Sequence, residues 1–268
     1  MRHDIPVRPD IARLDLSGRR RSLTGYCLGM ALYTLAVVAM YPAFRTSSSL
    51  DKLIAGDSTA AALFGISGSI STSSGWLNGN IYANFFPLIM LLLTVGYGAA
   101  CLAGQDEDGT LGLLAVLPVR RAVIVANKAA AMAAQAAALA ATVAVLVVIG
   151  RSFQLSVTVA NVAAVSAAIF LMGLDFGLVT MAAGALTGRR GTAIGVGTAL
   201  AAASYLISSL APVTSWIRPG RYASLFYWSV GNSQVSRGVS AGDYAVLVAV
   251  GLCALTAAML AFRRLDIH

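Results

Sequence analysis

Two places in this chain carry charged side chains at spacings that could do work. The first is Gln105–Lys128, QDEDGTLGLLAVLPVRRAVIVANK, where Asp106, Glu107 and Asp108 are followed, after a short apolar run, by Arg120 and Arg121. The second is Asp175, alone inside a long apolar run. The patterns of covalent or nucleotide chemistry do not occur: there is no Walker A loop, no HExxH pair and no Ser-His-Asp set. His3 and His268 sit at the chain ends, and Cys27, Cys101 and Cys253 lie within apolar runs, where a thiol behaves as a small hydrophobe. The chemistry these residues suit is electrostatic contact and polar positioning.

Local structure around the first place follows from its residue types. A helix of about two turns fits Leu111–Leu117, a run that includes Leu113 and Leu114. The acidic residues precede it, at the positive end of the helix dipole, where each anion is favoured by roughly 0.3–1 kcal/mol. Asp108 or Thr110, on either side of Gly109, is suited to be its N-cap. Pro118 disfavours helical geometry at Leu117 and ends the run. The stretch lies between two segments long enough to cross a bilayer, so its helix is expected at the membrane surface, where another protein can touch it.

The elements that must hold this stretch are membrane spans. Of 268 residues, 58% are hydrophobic and only 11% charged, with a mean hydropathy of +0.78, whereas soluble domains are about a quarter charged. The net charge of +8 is gathered at the ends of apolar runs, which is the pattern of membrane topology and excludes a nucleic-acid groove. Six spans are expected, at about Ser22–Phe44, Asn84–Gly104, Ala122–Ile149, Val159–Leu186, Gly191–Val213 and Tyr244–Phe262. The fold class is thus an all-α integral membrane protein. Residues 45–82, rich in Ser, Gly and Thr, read as an outer loop; residues 214–240, with Trp216, Tyr222, Tyr227 and Trp228, read as a second one bearing an interfacial aromatic belt. Residues 1–21 hold six arginines, and Ile11, Leu14 and Leu16 could form the apolar face of a short interfacial helix there; a basic tail without structure fits equally.

Orientation follows from the basic residues. With both termini inside, the cytoplasmic segments hold six in residues 1–21, then Arg120, Arg121, Lys128, Arg189, Arg190, Arg263 and Arg264: 13 of the 19 Lys and Arg residues. The remaining six fall in outer loops, and residues 105–121 are placed in the cytoplasm.

The run Asp106-Glu107-Asp108-Gly109-Thr110-Leu111-Gly112-Leu113-Leu114-Ala115-Val116-Leu117-Pro118-Val119-Arg120-Arg121, with Lys128 seven residues on, resembles the cytoplasmic coupling segment of ABC-2 type transporter permeases. That family's pattern is an acidic pair, Gly-Thr-Leu-Glu, two or three Leu, Pro-Val-Ser-Arg and a later Lys. This chain departs from it at Gly112, where Glu is usual, and at Arg120, where Ser or Thr is usual. Ser204–Pro212 with Arg218, Pro219, Tyr222 and Ser224–Tyr227 is similar to the end of the fifth span and the next outer segment of bacterial members. The closing Phe262–Ile267 is similar to their basic-then-Asp tail. The resemblance implies one permease domain over residues 1–268, an N-terminal elbow helix, and a coupling helix between the second and third spans. It further implies the membrane-spanning subunit of an ATP-driven exporter in the cytoplasmic membrane. Its partners would be a cytoplasmic ABC ATPase that binds ATP and Mg²⁺ and a second permease chain, so that this chain needs no cofactor of its own. Asp106, Glu107, Asp108, Gly109, Thr110, Leu111, Leu113, Leu114, Pro118, Arg120 and Arg121 would then form the ATPase-coupling site.

By helical rise Asp175 lies about 21 Å above Arg189, in the outer half of a core of about 30 Å. Asp at a helix centre costs roughly 2.5–3.5 kcal/mol on insertion scales, so it is expected to face protein or water. It fits a translocation path or partner contact, an interhelical hydrogen bond, or a protonated side chain; an ion-coupled secondary transporter with Asp175 as proton site is the alternative function. Gly25/Gly29, Gly173/Gly177 and Gly191/Gly195 are small-residue pairs of the kind that let helices approach closely.

Overall fold

The computed structural model describes residues 15–44, 72–110, 120–231 and 234–264, and among these all regular structure is helical. Among the described residues, six helices are long and apolar enough to cross a membrane. They are α1 (Arg20–Phe44), α2 (Ser73–Glu107), α3 (Arg121–Ile149, closed by a 3₁₀ turn Gly150–Phe153), α4 (Val159–Thr187), α5 (Arg190–Leu210) and, after the short helices α6 (Leu225–Ser229) and α7 (Gln234–Arg237), α8 (Ala241–Arg264). Ahead of α1, residues 15–18 are helical and Arg19 forms a turn; Leu16 packs on the neighbouring core, while Ile11 and Leu14 lie outside the described residues.

The centre of the bundle is α4, which packs on α2, α3, α5 and α8. Small residues permit this. Gly173 lies against Met90 of α2, and Gly177 against Thr94 of α2 and Met132 of α3. A Cβ added to Gly98 would meet the Gly177 carbonyl and come within 3.2 Å of the Met181 nitrogen, so α2 and α4 touch backbone to backbone. The other two pairs behave differently: a Cβ at Gly25, Gly29, Gly191 or Gly195 would meet nothing within 4 Å among the described residues. One pair therefore builds this chain's own core, and two face away from it.

The second span is longer than its apolar run suggests. The outer loop expected over 45–82 does not extend to Tyr82, because the chain is helical from Ser73 and continues without a break into α2. Several of its polar groups are bonded within the bundle. Ser73 Oγ donates to Tyr41 Oη at 2.9 Å, Trp76 Nε1 donates to the Val37 carbonyl at 3.0 Å, and Tyr33 Oη donates to the Asn80 carbonyl at 2.8 Å. Satisfied in this way, such groups can lie at membrane depth. The helix is wound as π-helix at Asn78–Phe85 and again at Ala100–Gly104, just before the acidic residues.

Segment 214–240 folds back onto the helices. Ser224 Oγ donates to the Ser204 carbonyl at 2.6 Å and Ser204 Oγ accepts from Leu225 N at 3.0 Å, which seats α6 on α5. Tyr222, Tyr227 and Trp228 form one aromatic cluster, with ring centroids 5.3–5.9 Å apart, and Arg221 lies over both tyrosines.

Candidate functional site

Gln105, Asp106 and Glu107 form the last turn of α2. Gly109, at φ +69°, ends it in the left-handed conformation that glycine adopts at little cost, and Gly109 N bonds back to the Asp106 carbonyl at 3.0 Å. Thr110 Oγ1 donates to the Gln105 carbonyl at 3.2 Å, so this hydroxyl closes α2. Asp106 and Glu107 are therefore at a helix C-terminus, and they do not simply precede a new helix as the sequence suggested. Leu111, Leu113, Leu114 and Pro118, and with them the expected short helix, lie outside the described residues. Arg120 follows them, exposed and extended, and Arg121 begins α3.

The acids would be unfavourable against the negative end of their own helix. Glu107 escapes by reaching another helix: its Oε1 accepts the Arg190 backbone N–H at 2.9 Å, at the first turn of α5. A carboxylate there meets both an orphan donor and the positive end of a dipole. Arg121 does the reverse at the far side of the stretch. Its Nη1 donates to the Phe262 carbonyl at 3.1 Å and lies within 3.5 Å of the Arg263 carbonyl, at the C-terminal end of α8, with the guanidinium 5.7 Å over the Phe262 ring.

A third attachment lies deeper. Lys128 is fully buried, and its Nζ donates to Gln105 Oε1 at 2.7 Å and to Asp15 Oδ2 at 3.2 Å. The same Asp15 oxygen accepts the Tyr97 hydroxyl at 2.7 Å, and Arg19 covers the Tyr97 ring at 4.9 Å. Neither Asp15 nor Tyr97 stood out in the sequence; the one signal was an acid set among the arginines of residues 1–21. Of the expected site residues, Glu107 and Arg121 are thus bonded to other helices. Asp106 is half-buried, with an Oδ1 that has no hydrogen-bond partner among the described residues, and Asp108 is exposed.

Asp175 is apart from all this. It is 1% exposed, and its Oδ2 has no hydrogen-bond partner among the described residues. Its Oδ1 fills the space beside Gly251 of α8, where an added Cβ would come within 2.7 Å of it. It does not line the apolar groove of about 520 Å³ between α2 and α5, which is walled by Phe85, Leu88, Leu92, Val95, Ile194 and Tyr205. The contact with Gly251 makes a prediction. Gly251→Ala is expected to lower stability by about 1–3 kcal/mol through overpacking, and by clearly less in an Asp175→Ala background. Thermal melts of the four proteins of this cycle measure the coupling, and strictly additive losses would refute it.

Comparison with known proteins gives one finding. The family model described as ABC-2 family transporter protein matches residues 10–266. No curated protein matches the chain.

Proposed function

The chain belongs to the ABC-2 transporter family, and from that premise we propose that it is the membrane-spanning permease of an ATP-driven exporter. A separate cytoplasmic ABC ATPase binds ATP and Mg²⁺ and hydrolyses the nucleotide. A second permease chain, identical or related, completes the path. The protein sits in the cytoplasmic membrane with both termini and residues 105–121 inside and residues 214–240 outside.

One observation carries the reading: the two flanks of the 105–121 stretch are fastened to separate parts of the bundle. Glu107 holds the start of α5, Arg121 holds the end of α8, and Gln105 shares Lys128 with the N-terminal segment. A push on the residues between them is delivered to three elements at once, which is what a coupling segment must do. Asp175 needs no part in this step. An ion-coupled transporter working through Asp175 would run on an ion gradient with no ATPase attached, and the family favours the ATP-driven reading instead.

The test is purification of the chain from its native membrane together with its neighbours. An ATPase with a Walker A motif is expected to come with it, and recovery of the permease with none under mild detergent would sink the reading. Topology is checked on cysteines introduced at the exposed Ser215 and Asp108 in a background lacking the native thiols. An impermeant maleimide added to intact cells should label the first and spare the second; the opposite pattern would invert the orientation.

A further inference from the structure

Lys128 raises a question that the coupling reading leaves open. A wholly enclosed ammonium is tolerated only where it has a counter-ion and filled hydrogen bonds. Gln105 accepts one bond but carries no charge. Among the described residues, Asp15 is the one carboxylate within ion-pair distance of Lys128, at 3.2 Å. That counter-ion does not come from a membrane span. It stands in the short stretch at residues 15–18, separated from α1 by the turn at Arg19, and it can depart without unwinding any span. Tyr97 anchors the same oxygen from α2 at 2.7 Å. A charge buried among the spans has thus been left dependent on a segment outside them.

We propose that Asp15 is a positioning residue whose carboxylate clasps the N-terminal segment over Lys128, so that this segment and the root of the 105–121 stretch move together. When the segment lifts, Lys128 loses its counter-ion and must turn toward water, and Gln105 loses the bond that fixes the end of α2. When the segment is seated, the end of α2 is held. The consequence for transport rests on the proposed coupling function; the clasp itself does not.

A native thiol reports on it. Cys101 is one turn beyond Tyr97 on α2, is 2% exposed, and donates to the Gly98 carbonyl at 3.3 Å. The experiment uses the full chain in nanodiscs with Cys27→Ala and Cys253→Ala, and follows the rate at which a membrane-permeant maleimide labels Cys101. Labelling should be slow in this background and about tenfold faster or more with Asp15→Asn, which keeps the side-chain shape and removes the charge. Adding Lys128→Met to Asp15→Asn should bring the rate back to within about threefold of the background, because no buried charge remains to be compensated. The exchange Asp15→Lys with Lys128→Asp should restore slow labelling as well. A segment held by packing alone predicts something else: Asp15→Asn would label like the background, or its fast labelling would persist after Lys128→Met. Either result overturns the proposal. Should Asp15→Asn alone fail to fold, the exchange variant decides: folded and slow supports the clasp, unfolded or fast refutes it. None of these readings needs an ATPase, so a chain that purifies without one would end the proposed function and leave the clasp result standing.

Discussion

Reversing Asp106, Glu107 and Asp108 to lysine together is expected to cut recovery of the ATPase with this chain by about tenfold or more, a loss of roughly 1.4 kcal/mol or greater in the association. Two of these positions contribute for different reasons. Asp108 is exposed, and a reversal there acts directly on the contact surface. Glu107 is also exposed, but it is bonded within the chain, accepting the Arg190 N–H at the start of α5. A lysine there removes a charge-assisted hydrogen bond, a class worth about 1.5–3 kcal/mol, and places a cation against the positive end of α5. Two further variants separate these effects. Asp108→Lys alone, at an exposed position, should weaken ATPase recovery and leave the melting temperature of the isolated permease unchanged. Glu107→Lys alone should lower that melting temperature and loosen the start of α5, which hydrogen exchange at residues 190–194 would register. Full ATPase recovery and full turnover in the triple variant would remove residues 106–108 from the coupling site.

Features that depend only on the order of residues along the chain were legible in it. The fourth span was expected at Val159–Leu186 and α4 runs Val159–Thr187, because an uninterrupted apolar length bounded by charge is a one-dimensional property. The start of the second span was not legible. Ser73 to Tyr82 reads as polar when residues are counted, but what decides membrane depth is whether each polar group has a partner. Some of those partners, Val37 and Tyr41, lie on α1, and the partner of Tyr82, Ser166, lies on α4.

The site divides along the same line. The density of charge in residues 105–121 marked it, and the family model confirms the membership that the resemblance implied. Which of those charges face a partner and which hold the bundle depends on contacts across large separations: 83 residues between Glu107 and Arg190, 113 between Asp15 and Lys128. Nothing near Asp15 in the chain indicates that it neutralises a lysine in another helix.

The second large effect concerns glycine, and it distinguishes residues that look alike in the sequence. Gly177→Leu should prevent folding, since a Cβ there already stands 3.0 Å from the Thr94 carbonyl oxygen, in α2 backbone that cannot rotate away. The cost should lie at or beyond the upper end of the roughly 1–3 kcal/mol usual for overpacking. Gly29→Leu and Gly195→Leu add the same atoms to faces of α1 and α5 where no described residue lies within 4 Å, and each should leave the melting temperature of the single chain close to wild type, within about 0.5 kcal/mol. If two permease chains meet along one of these faces, the corresponding variant should fold and yet fail to pair, because a leucine holds two helix backbones apart where glycine lets them close. The measurement is capture of one tagged permease of the complex by another in mild detergent, paired with the melting curve of each variant. Loss of capture for Gly195→Leu alone would put the contact on α5, and for Gly29→Leu alone on α1. Wild-type capture for both would exclude these faces as the place where the chains meet. A folded, stable Gly177→Leu would contradict the close crossing of α2 and α4 from which the whole assignment of inner and outer glycines is drawn.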